Sequence, residues 1–395
     1  MKFAMSARPD LNWLRAFTFV IYGITVLSSS YFPLYFSHLG FSGSQIGYLY
    51  AVGPFISMFT NMFWSMTSDR YQTIQKIMMV LLIGQLVMIT FLSYMSSFYI
   101  IFIFITMFNF FWYPLNPLTD TMAIQTAQRY GKNFIIIRVF GSIGYAFFAL
   151  FIGYVLGAAG TSSTMYICMG VITLAFLFST RLRDSKAQSK KKMKISELWT
   201  ILRQKELLWF FACVFCLAIP YRMNDAFIAL TLKQLGASEG LIGWSMLASA
   251  VSEIPIFFLL NKYGDKFKEL PLLAFASLMF AVRFLFMSMT HEPSMVIIIQ
   301  MMHSVTFGIY YVTAVRYITR MIPDQFRATG LGLFAVVWSS AAGLMSGLFG
   351  GMLFENAGRS SFYFVAVGLS FLAFIGFLSR HLLNSSGSTS THMNG

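Results

Sequence analysis

Residues 113–145 read YPLNPLTDTMAIQTAQRYGKNFIIIRVFGSIGY, two apolar segments that each enclose one charge and are joined by a short basic loop. The charges are Asp120 and Arg138. If one span ends near Gln125 and the next starts near Phe134, each charge sits about five residues, or roughly 7 Å, inside its own end. Both then lie at the same depth on antiparallel neighbours, within reach of each other. A carboxylate or guanidinium at the centre of a membrane helix costs about 2.5–3.5 kcal/mol on insertion scales, so each needs the other, water or a ligand. The stretch therefore predicts two membrane-crossing helices organised around a polar contact.

The rest of the chain has the same character. Of 395 residues, 57% are hydrophobic, 18% aromatic and 11% charged, and the mean hydropathy is +0.69; an average soluble domain carries about 25% charged residues. Runs of about 20 apolar residues, long enough to cross a hydrocarbon core of about 30 Å as one helix, fall near 13–36, 44–67, 75–95, 98–125, 134–158, 162–181, 207–233, 240–261, 270–290, 294–319, 327–354 and 360–381. The predicted fold is an all-α membrane protein, with twelve transmembrane helices in two pseudo-symmetric six-helix bundles. The bundles are placed at 1–181 and 207–381, with a basic cytoplasmic linker at 182–206 that contains SKKKMK and a disordered cytoplasmic tail at 382–395.

An N-terminus inside the cell puts Lys2, Arg8, Arg15, Arg70, Lys76, Arg129, Lys132, the 181–205 cluster, Lys262, Lys266, Lys268, Arg320, Arg327 and Arg380 on the cytoplasmic side, with Lys233 and Arg359 outside. That asymmetry satisfies the positive-inside rule with both termini cytoplasmic. It explains the net charge of +14 by topology and calls for no nucleic acid. The first apolar run is too long for a signal h-region and reads as an uncleaved span. Cys168, Cys213 and Cys216 all fall within spans and read as packing residues. Neither a metal nor a cofactor is expected. HExxH, GxSxG and P-loop patterns are absent and the loops are short, which argues against an enzyme.

A shift of 196 residues lays Leu39-Gly40 on Leu235-Gly236, Ile46-Gly47 on Ile242-Gly243 and Asp69-Arg70 on Asp265-Lys266. Parallel repeats of this kind mark transporters in which two similar bundles rock about a site near the midplane. Eight ionisable residues lie inside spans: Asp120, Arg138, Arg222, Asp225, Glu253, Arg283, His303 and, nearer an end, Arg316. Without the histidine, seven charges facing lipid would cost on the order of 20 kcal/mol, above the roughly 5–15 kcal/mol that holds a typical fold. They are expected to pair around a wet cavity. Three acids against four bases leave one base for an anionic or hydroxylated ligand. Arg316 reads as a snorkelling anchor, the small residues of 330–351 as a packing surface, and Pro33, Pro54, Pro114, Pro117, Pro220 and Pro255 as interruptions of their spans.

HSVTFGIYYVTAVRYIT at 303–319, AVRF at 281–284, and Asp120 and Arg138 with GSIGY at 141–145 resemble the lactose permease and nucleoside proton symporter branch of the major facilitator superfamily. FNFFWYPLNPLTDTMA at 108–123 looks closest to its phenylpropionate permease group. The resemblance implies that Asp120 grips substrate hydroxyls, that Arg138 is its partner, and that Tyr145 covers a ring, with Asn116 beside them. It further implies a coupling region of Arg283, His303, Asp225, Arg222 and Glu253. Thr306 and Gln300 stand where lactose permease has its proton-carrying glutamate and a lysine. Glu253 is therefore the expected proton carrier, because a carboxyl in a dry site holds its proton until an arginine approaches. SMTSDRYQTIQK at 65–76 resembles a degenerate form of the superfamily's loop motif, giving Asp69 and its repeat mate Asp265 a conformational role. The expected function is proton-coupled symport of a sugar or glycoside, a nucleoside or an aromatic acid by alternating access. Its partners are that small molecule, protons and the lipid bilayer, and it acts as a monomer in the cell membrane. A proton-coupled efflux antiporter is the alternative, although 141–157 lacks the glycine-proline motif of drug antiporters.

Overall fold

The computed structural model describes residues 9–132, 134–184, 204–323 and 327–390, which form helices joined by short turns, with no strand among them. The first half comprises α1 (Asp10–His38), α2 (Gly43–Tyr71), α3 (Ile74–Leu92), α4 (Phe98–Arg129), α5 (Ile135–Ala159) and α6 (Thr164–Ser179). The second comprises α7 (Lys205–Gln234), α8 (Glu239–Tyr263), α9 (Glu269–Met289), α10 (Pro293–Met321), α11 (Gly330–Asn356) and α12 (Gly358–Ser390). Among the described residues eleven helices are long and apolar enough to cross a membrane. The helix outside that count, α2, has the length but carries Gln45, Ser57, Thr60, Asn61 and Asp69, which lower its hydropathy.

The surface is that of a protein in lipid. Phe59, Ile103, Phe258 and Leu372 turn more than half of their area outward, while Gln85, Thr231, Ser277 and Ser370 are fully buried. Outward phenylalanines would cost free energy in water and cost none against acyl chains.

The chain divides into two compact units, Met1–Lys190 with Ser238–Leu247 and Lys191–Ala237 with Ala248–Gly395. The internal repeat has a physical basis in helix ends. Gly40 and Gly236 follow α1 and α7 with φ of +86° and +83°, and Phe41 and Ala237 donate back to the carbonyls of Phe36 and Leu232. These are left-handed helix stops, for which glycine pays no Cβ penalty. Ser42 and Ser238 then accept from Gln45 N and Leu241 N to start the next helix. The same shift takes Asp10 to Glu206, each in the first turn of its half. Asp10 pairs with Arg183 after α6 at 3.6 Å, and Glu206 pairs with Arg380 of α12 at 3.2 Å.

Several expectations need correcting. Pro54, Pro220 and Pro255 lie inside continuous helices, because neighbouring groups in a membrane bundle satisfy the freed carbonyls. Pro114 does coincide with a break, between Trp112 and Leu115 of α4. α12 continues to Ser390, through residues expected to be disordered, since extending a nucleated helix adds one hydrogen bond per residue fixed. Most of the basic linker (185–203) and the last residues of the tail (391–395) lie outside the described residues. Among the described residues, three helices contain a π-helical turn: Leu27–Tyr31 in α1, Ser304–Gly308 in α10 and Val336–Ala341 in α11.

Candidate functional site

In the first unit the structure brings Asp120 and Arg138 together. Arg138 Nε lies 4.0 Å from Asp120 Oδ1, and the two side chains remain 39% and 50% exposed. A loose, accessible pair of this kind has donors and acceptors to spare for a ligand. The Arg138 guanidinium carbon also lies 4.9 Å from the centre of the Tyr22 ring of α1. Gly141 makes that approach possible, because a Cβ there would fall 2.5 Å from Tyr22 and 2.9 Å from Arg138 Nη1. Gly144, one turn further along α5, lies against the Phe19 backbone, and a Cβ would sit 2.1 Å from its carbonyl oxygen. GSIGY is thus the surface that seats α5 on α1. Tyr145 is half-buried, with its hydroxyl 3.9 Å from Met246 Sδ in the same unit. Asn116 is half-buried just after the α4 break, in the first turn of the helical segment Leu115–Arg129.

The second unit holds a tighter cluster. Arg283 on α9 is 1% exposed. Its Nη1 bonds His303 Nδ1 at 3.0 Å and Thr306 Oγ1 at 3.2 Å, and its Nη2 donates to Gln300 Oε1. On its other side His303 Nε2 meets Glu253 Oε1 of α8 at 2.7 Å, with side chains 11% and 18% exposed. The imidazole is stacked on Phe307 and Tyr221, with ring centres 5.0 and 6.0 Å away. Arg222 and Asp225, grouped with these residues from the sequence, form a separate knot: Arg222 Nη1 lies 3.4 Å from Asp225 Oδ2, Nη2 donates to Ser339 Oγ at 2.7 Å, and Nε donates to the Trp338 carbonyl at 3.3 Å. Thr306 and the pair Trp338 and Ser339 lie in the π-helical turns of α10 and α11. Both arginines are thus held by turns of a type that recurs at functional sites.

The fourth base is not left over. Arg316 Nε lies 3.0 Å from Glu269 Oε1, a contact of charge rather than an aligned hydrogen bond, and Arg320 approaches the same carboxylate. Glu269 is buried at the start of α9, so Arg316 is an ion-pair partner and not a snorkelling anchor. Arg138 and Arg222 each face an acid directly and Arg283 reaches Glu253 only through His303; with Glu269 counted, four acids match the four arginines, so no surplus arginine singles out an anionic ligand. Asp69 stands exposed in the last turn of α2 rather than in a loop, without an ion pair among the described residues. The backbone of Asp265 lies in the short turn Gly264–Lys266, and its side chain is outside the described residues. Asp184, which the sequence reading passed over, accepts from Thr73 Oγ1, Ile74 N and Gln75 N at 2.5, 2.7 and 2.8 Å, and so caps α3. Among the described residues no cluster of three His, Cys, Asp or Glu side chains offers a metal site.

An all-helical, multi-pass chain whose intramembrane charges are paired within each unit has the build of a membrane transporter. The MFS_1 like family model matches residues 11–366, and the chain belongs to that family of transporters, not enzymes. A putative nucleoside transporter of Escherichia coli K12, YegT, is 26% identical over 339 residues, covering 82% of this chain and 79% of that protein. A probable 3-phenylpropionic acid transporter of the same organism is 25% identical over 273 residues, covering 66% and 69%. The crystal structure of nucleoside transporter NupG superposes with a TM-score of 0.80 at 15% identity, covering 93% of this chain and 98% of that one.

Proposed function

We propose that the protein takes up a small organic solute together with a proton by alternating access across the cell membrane, with both termini in the cytoplasm. The observation that carries this reading is the unbroken sequence of contacts from Glu253 through His303 to Arg283, buried within the second unit. Gln300 and Thr306 hold the guanidinium with neutral atoms, which leaves Glu253 as the carboxylate that loads the proton. Asp120 and Arg138 serve the solute: a carboxylate and a guanidinium bind hydroxyl or amide groups, while Tyr22 and Tyr145 offer ring faces. That chemistry fits a nucleoside, a glycoside or an aromatic acid, whose carboxylate a guanidinium can bind, and the names of the relatives support the first and the last.

The test is uptake into proteoliposomes under an inward proton gradient, with labelled uridine, a methyl glucoside and 3-phenylpropionate. One class should accumulate and a protonophore should abolish accumulation. Glu253→Gln should lose accumulation while retaining exchange of external for internal solute. Accumulation by the Glu253→Gln protein, or accumulation driven by sodium alone, would overturn the proposal, and outward pumping would assign the reverse direction.

A further inference from the structure

The hydrogen bonds around Arg283 fix more than its position. A guanidinium only donates, so each of its three partners must accept. His303 Nδ1, 3.0 Å from Arg283 Nη1, therefore presents a lone pair. The ring hydrogen is on Nε2, where it is donated to Glu253 Oε1 across 2.7 Å. This tautomer is assigned from donor and acceptor chemistry. A hydrogen on Nδ1 would point at a guanidinium N–H, so neither the imidazolium nor the other neutral tautomer fits while Arg283 is in place.

We propose that His303 is a two-ended proton relay gated by Arg283, and that Thr306 and Gln300 hold the gate. This rests on the reading of Glu253 as the proton carrier. A proton that binds Nδ1 displaces Arg283 from the ring; the Nε2–H bond breaks as its proton passes to Glu253 Oε1, and the electron pair of that bond stays on Nε2. One proton has entered, one N–H bond has formed, one has broken, and one O–H bond has formed on the carboxyl. The ring ends neutral with its hydrogen on Nδ1, and the trio has gained one positive charge. Arg283 is then left without its histidine acceptor but keeps Thr306 Oγ1 and Gln300 Oε1.

Two further observations support the gate. Arg283 Nε is buried without a hydrogen-bond partner, a spare donor that a displaced guanidinium can use. The imidazole lies within 23° of parallel to both Phe307 and Tyr221, which keeps the two nitrogens in plane, so the proton crosses by exchange of tautomer and not by a ring flip. The titratable and charged groups facing the ring are Glu253 on α8, Arg283 on α9, and Tyr221 and Asp225 on α7, with Tyr363 of α12 behind Arg283. Thr306 and Gln300 thus act as positioning residues. Neutral acceptors hold the arginine without competing for the proton, and they count for most once it has lost the ring and depends on them alone.

The test needs no solute. Nitrogen NMR of the full chain, labelled at histidine and held in lipid nanodiscs, distinguishes the two neutral tautomers from the imidazolium, and His303→Asn identifies the signal among five histidines. At neutral pH the hydrogen should be on Nε2; on acidification it should move to Nδ1 with the ring still neutral. In Glu253→Gln the neutral Nδ1–H form should not appear. Thr306→Val removes one alternative acceptor, ties Arg283 more firmly to the ring, and should lower the midpoint of the switch by on the order of one pH unit, a hydrogen bond's worth; Thr306→Ser should restore it. An Nδ1–H ring at neutral pH, direct conversion to imidazolium in the unsubstituted protein, or an unmoved midpoint in Thr306→Val would overturn the relay. Failure of proton-driven uptake in proteoliposomes would refute the symport reading and leave the tautomer result intact, so the two failures are distinguishable.

Discussion

Replacing Gly144 by alanine asks whether the backbone contact between α5 and α1 sets the position of Arg138. A Cβ at 144 would fall 2.1 Å from the Phe19 carbonyl oxygen and 2.9 Å from its Cα and carbonyl carbon. Backbone atoms cannot rotate aside, so the two helices must part by roughly 1 Å, a gap that forfeits a quarter to a half of each dispersion contact across the seam. Overpacking of this kind costs about 1–3 kcal/mol. At about 2–4 °C per kcal/mol for a unit of this size, a cost near 2 kcal/mol lowers the melting temperature by roughly 4–8 °C. Gly141→Ala supplies the contrast. Its Cβ would meet the Tyr22 ring at 2.5 Å and Arg138 Nη1 at 2.9 Å, both on side chains that can move. Stability should change by less than about 1 kcal/mol, while the lost contact between Arg138 and Tyr22, worth about 0.5–2 kcal/mol, weakens solute binding by roughly 2- to 30-fold. Thermal unfolding and equilibrium binding on purified protein measure both. A Gly144→Ala protein that melts with the parent, or a Gly141→Ala protein that is the less stable of the two, would refute the reasoning.

Two further substitutions probe the ends of the helices. Asp184→Ala removes the acceptor for two backbone N–H groups and one hydroxyl at the start of α3, and should lower stability by about 2 kcal/mol, with Asp184→Asn recovering part, as read by thermal unfolding. Glu269→Leu leaves Arg316 and Arg320 without their carboxylate and should cost on the order of 3 kcal/mol; adding Arg316→Met should recover most of that, because removing both buried partners is cheaper than removing one. Equal stability of the single and double variants would show that the pair is not coupled.

The sequence displayed the spans because hydrocarbon demands long apolar runs, and it displayed the Asp120 and Arg138 contact because the two residues sit at matched depth on consecutive helices. Arg283 and His303 were legible as costly groups in need of partners. What stayed hidden depended on side chains distant in the chain. Nothing about Asp184 announces that its carboxylate reaches residues 73–75, and Tyr22 looks like any other aromatic residue of a first span until α5 is laid beside it. Arg316 illustrates a different limit. Glu269 lies just outside the span expected at 270–290, so a charge balance drawn from the spans omits it and shows a surplus of positive charge that the ion pair removes. The prolines misled for a third reason: in a bundle, neighbouring helices supply what a proline removes, and composition alone cannot show that.

The wide turn Ser304–Gly308 alters the geometry of α10 beyond its own five residues. Gln300 and Arg316 both reach α9, one at Arg283 and the other at Glu269. On an uninterrupted α-helix, at about 100° per residue, sixteen steps would leave them about 160° apart, facing nearly opposite ways. A turn that absorbs one surplus residue cuts that angle to about 60°, so one neighbour can be served at both ends. The insertion works as a phase correction: were it absorbed elsewhere along the rod, the polar groups of α10 would be re-aimed with no change of sequence.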